Sequence, residues 1–203
     1  MKGGYEMILN GNNLPEVAAA CVKTLETPGG VVLLPTETVY GLVCAWSDSD
    51  GRDKIYRLKH RNPNKLLAMF APDAGTAERF GTIVNPLARK LFDAFTPGGV
   101  TIICASRKGG TVGVRVPDHP LVLAVLGIIG KPLASTSANL SGTPSALNLA
   151  DALRTLDGEP DLAVDGGALP EDSVASTVID TTSGMVKILR EGTVPATEIM
   201  RLF

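Results

Sequence analysis

Apolar side chains recur along this chain in two patterns, one typical of β-strands and one typical of α-helices. Residues 31–34 form an unbroken run of valine and leucine, as expected for a strand that is covered on both faces. Residues 13–25 repeat apolar side chains at helical spacing, with Asn13 as the predicted N-cap and Glu16 three positions later. Further strands are predicted at residues 67–70, 100–105, 112–116, 132–135, 162–164, 177–179 and 186–189. Further helices are predicted at residues 52–59, 86–95, 121–126, 147–156 and 196–202.

The alternation of strands and helices predicts an α/β fold, built on a twisted sheet of mixed parallel and antiparallel strands with flanking helices. The short connection between the strands at 100–105 and 112–116 indicates an antiparallel pair. A chain of 203 residues, 44% of them hydrophobic, is long enough to bury one substantial core. We therefore expect residues 1–203 to form a single domain.

The apolar stretches are too short for a membrane protein. The longest, residues 121–129, falls well below the roughly 18 residues of a membrane span. Residues 1–10 lack the basic and apolar segments of a secretory signal. The three cysteines form no CxxC pair, which suits buried thiols in a reducing compartment. The sequence thus predicts a cytoplasmic protein that does not contact a membrane.

Charge is distributed unevenly, although the net charge is only −2. Residues 52–65 carry six lysines and arginines against Asp53, whereas residues 141–183 carry eight carboxylates against Arg154. A dense cluster of cations in a mildly acidic protein favours a site for a compact anion over a long track for nucleic acid. The alternative is that these cations form a solvated helix face.

Familiar catalytic signatures are missing from the sequence. It contains no GxxxxGK[ST] loop, no GxGxxG or GxSxG motif and no HExxH pair. Two histidines, His60 and His119, are too few for a histidine-rich metal site, so no metal liganded by the protein is expected. His119 lies between prolines, which predicts a rigid turn with an Asx-type contact.

Polar segments follow several of the predicted strands. In residues 35–41, the hydroxyls of Thr36 and Tyr40 are suited to hold a small polar substrate, and a turn with satisfied hydroxyls is an equal alternative. After the predicted helix at 52–59, Arg61 offers a planar fork for two phosphate oxygens. Lys59 and Lys65 would add mobile point charges, a combination that suits a polyphosphate.

Arg115 lies in an otherwise apolar strand, where an unpaired charge would be costly. We therefore expect an anionic partner for it, either Glu37 or the carboxylate of a substrate. Residues 135–142 crowd four hydroxyls and an amide directly after a strand, where α/β sheets often bind ligands. For Ser145, a cap of the helix predicted to begin at residue 147 is the simpler explanation.

Seven motifs follow one another in a fixed order over residues 30–192. They are PTETVYGL at 35–42, KHR at 59–61, PGGVTII at 97–103, VGVRVPDHP at 112–120, STSANLSGTPS at 135–145, STVID at 176–180 and ILREG at 188–192. Through these motifs the chain resembles the YrdC-like family, the threonylcarbamoyl-AMP synthases of tRNA modification. Seven ordered motifs are far more specific than any one of them.

The resemblance implies a YrdC-like fold around a large open cavity that binds L-threonine, bicarbonate and ATP, with Mg²⁺ accompanying ATP as a co-substrate. It implies that Lys59 and Arg61 are catalytic. The nucleotide contacts that it implies are Arg61, Lys65, Thr111, Ser137, Asn139, Ser145 and Arg190. The threonine contacts that it implies are Thr36, Tyr40, Arg115, Ser135 and Ser176. The chain departs from the family at Asn62, which follows the basic motif in place of proline, and at Phe70, where longer members often have a histidine.

The activity implied by the resemblance is that of an L-threonylcarbamoyladenylate synthase, a nucleotidyltransferase. The threonine amine would combine with bicarbonate to give an N-carboxylate, which attacks the α-phosphorus of ATP and expels pyrophosphate. The product would pass to the tRNA threonylcarbamoyltransferase for N6-threonylcarbamoyladenosine (t6A) modification. Two alternatives are a module with weak tRNA or double-stranded RNA binding and a carbamoyl-adenylating paralogue. Aromatic residues make up only 4% of the chain, which argues against an RNA-stacking surface.

Overall fold

Strands and helices alternate along the computed structural model, which describes residues 8–10 and 13–203. The strands are β1 (Ile8–Asn10), β2 (Val32–Leu34), β3 (Gly41–Ala45), β4 (Ala68–Phe70), β5 (Thr82–Ile83), β6 (Val100–Ser106), β7 (Thr111–Arg115), β8 (Leu133–Ser137), β9 (Leu162–Asp165), β10 (Thr177–Asp180) and β11 (Lys187–Arg190). The helices are α1 (Leu14–Glu26), α2 (Ser49–Leu58), α3 (Ala74–Arg79), α4 (Pro86–Phe95), α5 (Pro120–Ile129), α6 (Leu149–Thr155) and α7 (Ala196–Met200).

One mixed sheet joins the strands in the order β1-β9-β2-β3-β8-β4-β7-β6-β10-β11, with β5 paired to β6 outside this path. The pairs β2–β9, β4–β7 and β6–β10 are parallel. The pairs β2–β3, β3–β8 and β10–β11 are antiparallel. Strands β6 and β7 are antiparallel, as their short connection predicts. The predicted α/β fold with a mixed sheet is confirmed.

Helices cover the two faces of this sheet unequally. On one face, Leu42 packs with Ile55 of α2, and Ile102 packs with Leu91 of α4. The other face is covered at one end, where Val43 packs with α1 and α5, including Val125. Phe70 of β4 belongs to the same cluster. Farther along that face, β7, β6, β10 and β11 carry no helix over them among the described residues. This uncovered half of the sheet is the floor of the main cavity.

Two predicted helix starts differ from the structure because other side chains supply the caps. Helix α2 begins at Ser49 rather than residue 52, since the Asp48 carboxylate accepts hydrogen bonds from the Asp50 and Gly51 amides. Helix α6 is capped by Asn148, whose side chain accepts from the Asp151 amide. Ser145 is therefore not the cap of this helix.

Side chains at the starts of α1 and α5 also depart from prediction. Asn13 lies at the predicted N-cap of α1, but its amide donates to the Glu16 carboxylate at 2.8 Å instead of the side chain bonding to the helix backbone. His119 is the N-cap residue of α5 and makes no side-chain capping bond. The predicted Asx-type contact is absent there, and the Asp118 amide instead donates to Glu37 Oε1 at 2.9 Å.

The end of α2 determines where two motif residues point. The His60 amide donates to the Arg57 carbonyl, and the Arg61 amide donates to the Tyr56 carbonyl, which together form a Schellman motif. His60 takes the left-handed position, with φ of 46°. The chain therefore reverses between Lys59, which is buried, and Arg61, which lines the cavity.

Replacing His60 with glycine is expected to stabilise the protein by about 1 kcal/mol, because glycine adopts the left-handed conformation without a Cβ clash. The contact that is lost, between His60 Nε2 and the Asp157 carboxylate, is exposed and contributes little. Urea unfolding measures the change. His60→Ala is the matched control, since it loses the same contact and keeps the Cβ. A free energy of unfolding no higher for His60→Gly than for His60→Ala would contradict the strain.

Candidate functional site

A cavity of about 460 Å³ lies on the uncovered half of the sheet. Alternate residues of β7, namely Thr111, Gly113 and Arg115, point to it, while the valines between them belong to the core on the opposite face. Thr101 and Ile103 of β6 continue the same floor. The floor therefore carries hydroxyls and a guanidinium, and at Gly113, between Thr111 and Arg115, it has no side chain.

The structure brings together nine of the residues that the sequence predicted for the site. These cavity-lining residues are Thr36, Tyr40, Arg61, Thr111, Arg115, Ser135, Ser137, Ser176 and Arg190. They lie in strands β7, β8 and β11 and in segments next to β3, α2 and β10, which are far apart in the sequence. Four predicted residues do not line the cavity: Lys59, Lys65, Asn139 and Ser145.

Arg115 is the most buried of the cavity arginines, with 6% of its side chain exposed. Its Nη2 donates to Glu37 Oε1 at 2.7 Å, and its Nε donates to the Gly98 carbonyl at 3.2 Å. The guanidinium also lies 5.5 Å from the centre of the Phe70 ring. The prediction that Arg115 has an anionic partner is confirmed for Glu37. These bonds leave Nη1 available for a ligand.

Arg61 and Arg190 are held by carbonyl oxygens instead of a carboxylate. Arg61 donates through Nε to Lys65 and through Nη2 to Leu66, both at 2.9 Å. Arg190 donates through Nε and Nη2 to the carbonyl of Ser176. Each guanidinium is thus oriented along one edge, with its Nη1 donors free and its charge not neutralised by these contacts.

A β-bulge aims Arg190 at the cavity. Ile188 pairs with Ile179, while Arg190 pairs with Val178, so that Leu189 is an extra residue in the edge strand. Ile188 packs against the core on the helix-covered face, whereas Arg190 and Val178 line the cavity. In regular alternation, residues two apart would share a face.

The cavity has a positive potential. Burial lowers the pKa of Arg61 and of Arg190, and the nearby charge of Arg115 lowers that of Arg190 further. No aspartate or glutamate is present among the described residues that line the cavity. An anion in the cavity would therefore meet the guanidiniums of Arg61 and Arg115 in a partly dehydrated environment, where ionic hydrogen bonds are strong, while Arg190 is more exposed.

Lys59 is 1% exposed and does not act as the mobile point charge that was predicted. Its ammonium donates to the carbonyls of Ser137 and Asn139, so it ties the end of α2 to the end of β8. Burial, and secondly the charge of Arg61, lower its pKa to about 7. Charge patterns in a sequence do not distinguish such a buried lysine from a solvated one.

The lowered pKa of Lys59 is expected to make stability depend on pH. The unfolded chain keeps this proton up to about pH 10, whereas the folded protein loses it above a pKa of about 7. The unfolded chain thus binds more protons in this window, and the free energy of unfolding rises with pH, by at most about 1.4 kcal/mol per unit. Urea unfolding at about pH 7 and about pH 8.5 tests this. An equal rise in Lys59→Met would assign the effect to another group.

Two hydroxyls predicted to hold a substrate are engaged within the protein. The Thr36 hydroxyl donates to the Val39 carbonyl at 2.6 Å and accepts from the Thr38 and Val39 amides. The Tyr40 hydroxyl donates to the Gly167 carbonyl at 2.7 Å and accepts from the Gly166 amide at 3.0 Å. The alternative interpretation, a turn with satisfied hydroxyls, describes both, although both residues line the cavity.

Ser135, Asn139 and Lys65 lie in three different environments. The Ser135 hydroxyl makes no hydrogen bond to residues that the structure describes, so it is available for a ligand at the cavity wall. Asn139 is buried. Its side chain accepts a hydrogen bond from the Ser137 hydroxyl and donates one to the Thr143 carbonyl. Lys65 is exposed on the loop that follows α2. The structure thus gives Asn139 a supporting position behind Ser137.

Sequence reasoning missed Thr38 and Thr101, which also line the cavity. The Thr101 hydroxyl lies 2.8 Å from that of Ser176, next to Arg190. The signal was present in the alternation of β6 and β7, where Thr101, Thr111 and Arg115 recur on one face between buried aliphatic residues.

Most cations of the basic segment at residues 52–65 make contacts within the protein. Lys54 pairs with Asp161, and the guanidinium of Arg52 lies over the Trp46 ring at 4.1 Å. Together with buried Lys59 and cavity-facing Arg61, these contacts account for four of its six cations. Little of the segment is left as a continuous basic surface, which argues against a nucleic-acid track here.

The sequence also matches a known protein family. The sequence model of the Sua5/YciO/YrdC family, described as telomere recombination, matches residues 25–192. The chain belongs to this family. Family membership agrees with the resemblance that its motifs show, and with the fold.

Individual relatives point the same way. The threonylcarbamoyl-AMP synthase of Bacillus subtilis is 34% identical over 197 residues, which are 92% of this chain and 56% of the relative. The structure of P. abyssi Sua5 complexed with L-threonine superposes with a TM-score of 0.86 at 27% identity, covering 97% of this chain and 60% of that one. YciO of E. coli gives a TM-score of 0.82 at 26% identity, covering 95% and 98%. The chain spans just over half the length of the first two proteins.

Within residues 8–10 and 13–203, no helix is both long and apolar enough to cross a bilayer. The same part of the chain contains no group of three or more histidine, cysteine or acidic side chains arranged to hold a metal ion.

Proposed function

We propose that this chain is a threonylcarbamoyl-AMP synthase, which forms threonylcarbamoyl-AMP and pyrophosphate from L-threonine, bicarbonate and ATP. The observation that carries the proposal is the cavity with three anchored guanidiniums and free Nη1 donors, and with no carboxylate among the described residues that line it. The names of the relatives, and the L-threonine complex of Sua5, support the choice of substrate.

The cavity divides into two subsites in this proposal. The threonine carboxylate binds Nη1 of Arg115, and the surrounding wall is formed by Thr36, Tyr40, Ser135 and Ser176. The nucleotide lies along Arg61, Thr111, Ser137 and Arg190, with Lys65, Asn139 and Ser145 as further residues on that side. Lys59 supports the nucleotide side by holding the carbonyls of Ser137 and Asn139.

The reaction then proceeds without a nucleophile from the protein. The threonine amine adds to bicarbonate with loss of water, giving an N-carboxylate. A carboxylate oxygen attacks the α-phosphorus of ATP, and the bond to the bridging oxygen breaks to release pyrophosphate. Nucleotidyl transfer of this kind depends on positioning and charge stabilisation, which the three arginines supply. The enzyme would therefore be a nucleotidyltransferase.

Protons and Mg²⁺ enter with the substrates in this proposal. No carboxylate or histidine is among the described cavity-lining residues, so the threonine ammonium loses its proton to solvent or to bicarbonate. Mg²⁺ arrives on the phosphates of ATP as part of the co-substrate, where phosphate oxygens are its preferred ligands.

We also propose the setting of the reaction. The adenylate would be handed to a tRNA threonylcarbamoyltransferase for t6A formation. A cytoplasmic location is consistent with three buried free cysteines, since their burial fits a reducing compartment. Residues 1–203 would act as one domain, because a single sheet runs from β1 to β11.

The test is pyrophosphate release from MgATP and bicarbonate, with and without L-threonine, and with serine and carbamoyl phosphate as comparison substrates. We expect release that requires both threonine and bicarbonate. Release with carbamoyl phosphate but not with threonine would assign carbamoyl adenylation instead. A protein that is silent with every substrate and binds RNA at moderate salt would reverse the proposal.

A further inference from the structure

The loop at residues 61–66 forms part of the cavity rim and carries Arg61. It is closed on itself, since the Lys65 amide donates to the Asn62 carbonyl and the Asn64 amide donates to the Asn62 side chain, both at 2.9 Å. Leu66 is 61% exposed, so apolar packing does little to fix the loop. Its position therefore depends on hydrogen bonds to the rest of the protein.

One carbonyl of this loop receives two donors. The Lys65 carbonyl accepts from Arg61 Nε at 2.9 Å and from the Tyr56 hydroxyl at 3.0 Å. Arg61 belongs to the same loop, so its bond does not fix the loop to anything else. Tyr56 belongs to α2, is half-buried, and packs against the core that includes Ile55. Its hydroxyl thus connects a rigid helix to the acceptor that orients the Arg61 guanidinium.

We propose that Tyr56 is a positioning residue, whose hydroxyl fixes the Lys65 carbonyl and so aims the Arg61 guanidinium at the phosphates of the nucleotide. The inference rests on the proposed function for the role of Arg61. Tyr56 does not line the cavity, so it acts through Arg61 and not by touching a ligand. The Tyr56 backbone carbonyl also accepts a hydrogen bond from the Arg61 amide at 2.9 Å. Tyr56 therefore fixes the Arg61 backbone directly and its guanidinium through the Lys65 carbonyl.

Tyr56→Phe removes this hydroxyl and keeps the ring. We expect the KM for ATP and the dissociation constant of ATP to rise about fivefold, the effect of losing one ordinary hydrogen bond. The KM for threonine should stay within about twofold, because Arg115 is held by Glu37 and Gly98, which lie outside this loop. Trypsin should also cut faster after exposed Lys65, since the loop loses its tether to α2.

Thr24→Val is the matched control. It removes another hydroxyl that donates to a backbone carbonyl, that of Ala20 at 3.1 Å in α1. We expect it to leave ATP binding, both KM values and the cleavage rate after Lys65 as in the wild type. Any loss of overall stability common to the two variants is thereby separated from the effect on Arg61.

The outcomes distinguish the two proposals. Wild-type protein that binds ATP without threonine-dependent pyrophosphate release would end the proposed function, while the ATP dissociation constant of Tyr56→Phe still tests the positioning role. Active wild-type protein with an unchanged ATP constant in Tyr56→Phe would overturn that role. Equal increases in the KM values for ATP and threonine would also overturn it, because they would indicate a general structural effect.

Discussion

Replacing Arg61 with alanine is expected to lower kcat/KM for ATP by about 100-fold or more, because a donor that stabilises developing phosphate charge is removed from a partly dehydrated site. The fold should be little affected. Both side-chain bonds of Arg61 are to carbonyls of its own loop, at Lys65 and Leu66. The free energy of unfolding is expected to change by less than about 1 kcal/mol. Steady-state pyrophosphate release and urea unfolding measure the two effects.

Arg57→Ala is the control for this experiment. Arg57 is an exposed cation of α2, four residues before Arg61, and does not line the cavity, so its loss changes net charge equally. We expect nearly normal turnover from it. Comparable losses in both variants would mean that the overall charge of residues 52–65 matters, and full activity in Arg61→Ala would exclude contact with the phosphates.

Replacing Arg115 with methionine is expected to have two effects of different origin. The KM for threonine should rise about 100-fold, because the substrate carboxylate loses a charged hydrogen-bond donor. The free energy of unfolding should fall by about 3 kcal/mol, because Glu37 is left without its cation in a largely buried position. Initial rates over a range of threonine concentrations, and urea unfolding, measure these changes.

The double variant Arg115→Met with Glu37→Gln separates the two effects. Removing the carboxylate charge should restore most of the stability, since no unpaired charge remains. It should not restore threonine affinity. A double variant that regains a normal KM for threonine would show that Arg115 serves Glu37 and not the substrate.

The local features of this protein were largely readable from its sequence. The bounds of α4 match those predicted, because Asn85 and Pro86 mark its start and Thr96, which precedes Pro97, takes an extended conformation. The need of Arg115 for an anionic partner followed from a charge in an apolar strand, and Glu37 fills it. Such inferences succeed because they depend on neighbours in sequence or on the simple cost of burying a charge.

The cavity could not be predicted from the residue patterns, although the family resemblance implied it. It exists because α1 and α5 cover one end of a sheet face and leave the other end open, which is a property of long-range strand order. The burial of Lys59 depends equally on non-local structure, since its acceptors lie about eighty residues away. The same holds for the Tyr40 hydroxyl, whose partners are Gly166 and Gly167. The Thr36 hydroxyl is different, because its partners Thr38 and Val39 are neighbours in the sequence.

The β-bulge in β11 has a consequence for comparing this protein with its relatives. If the edge strand paired without the extra residue, Leu189 would take the place opposite Val178 and Arg190 would turn toward the helix-covered side. A chain that lacked one residue here would keep its arginine opposite Val178 in an unbroken ladder. An alignment that compares residue identities and ignores strand pairing will therefore misplace insertions at this edge, where segment length and strand register together determine which residue faces the cavity.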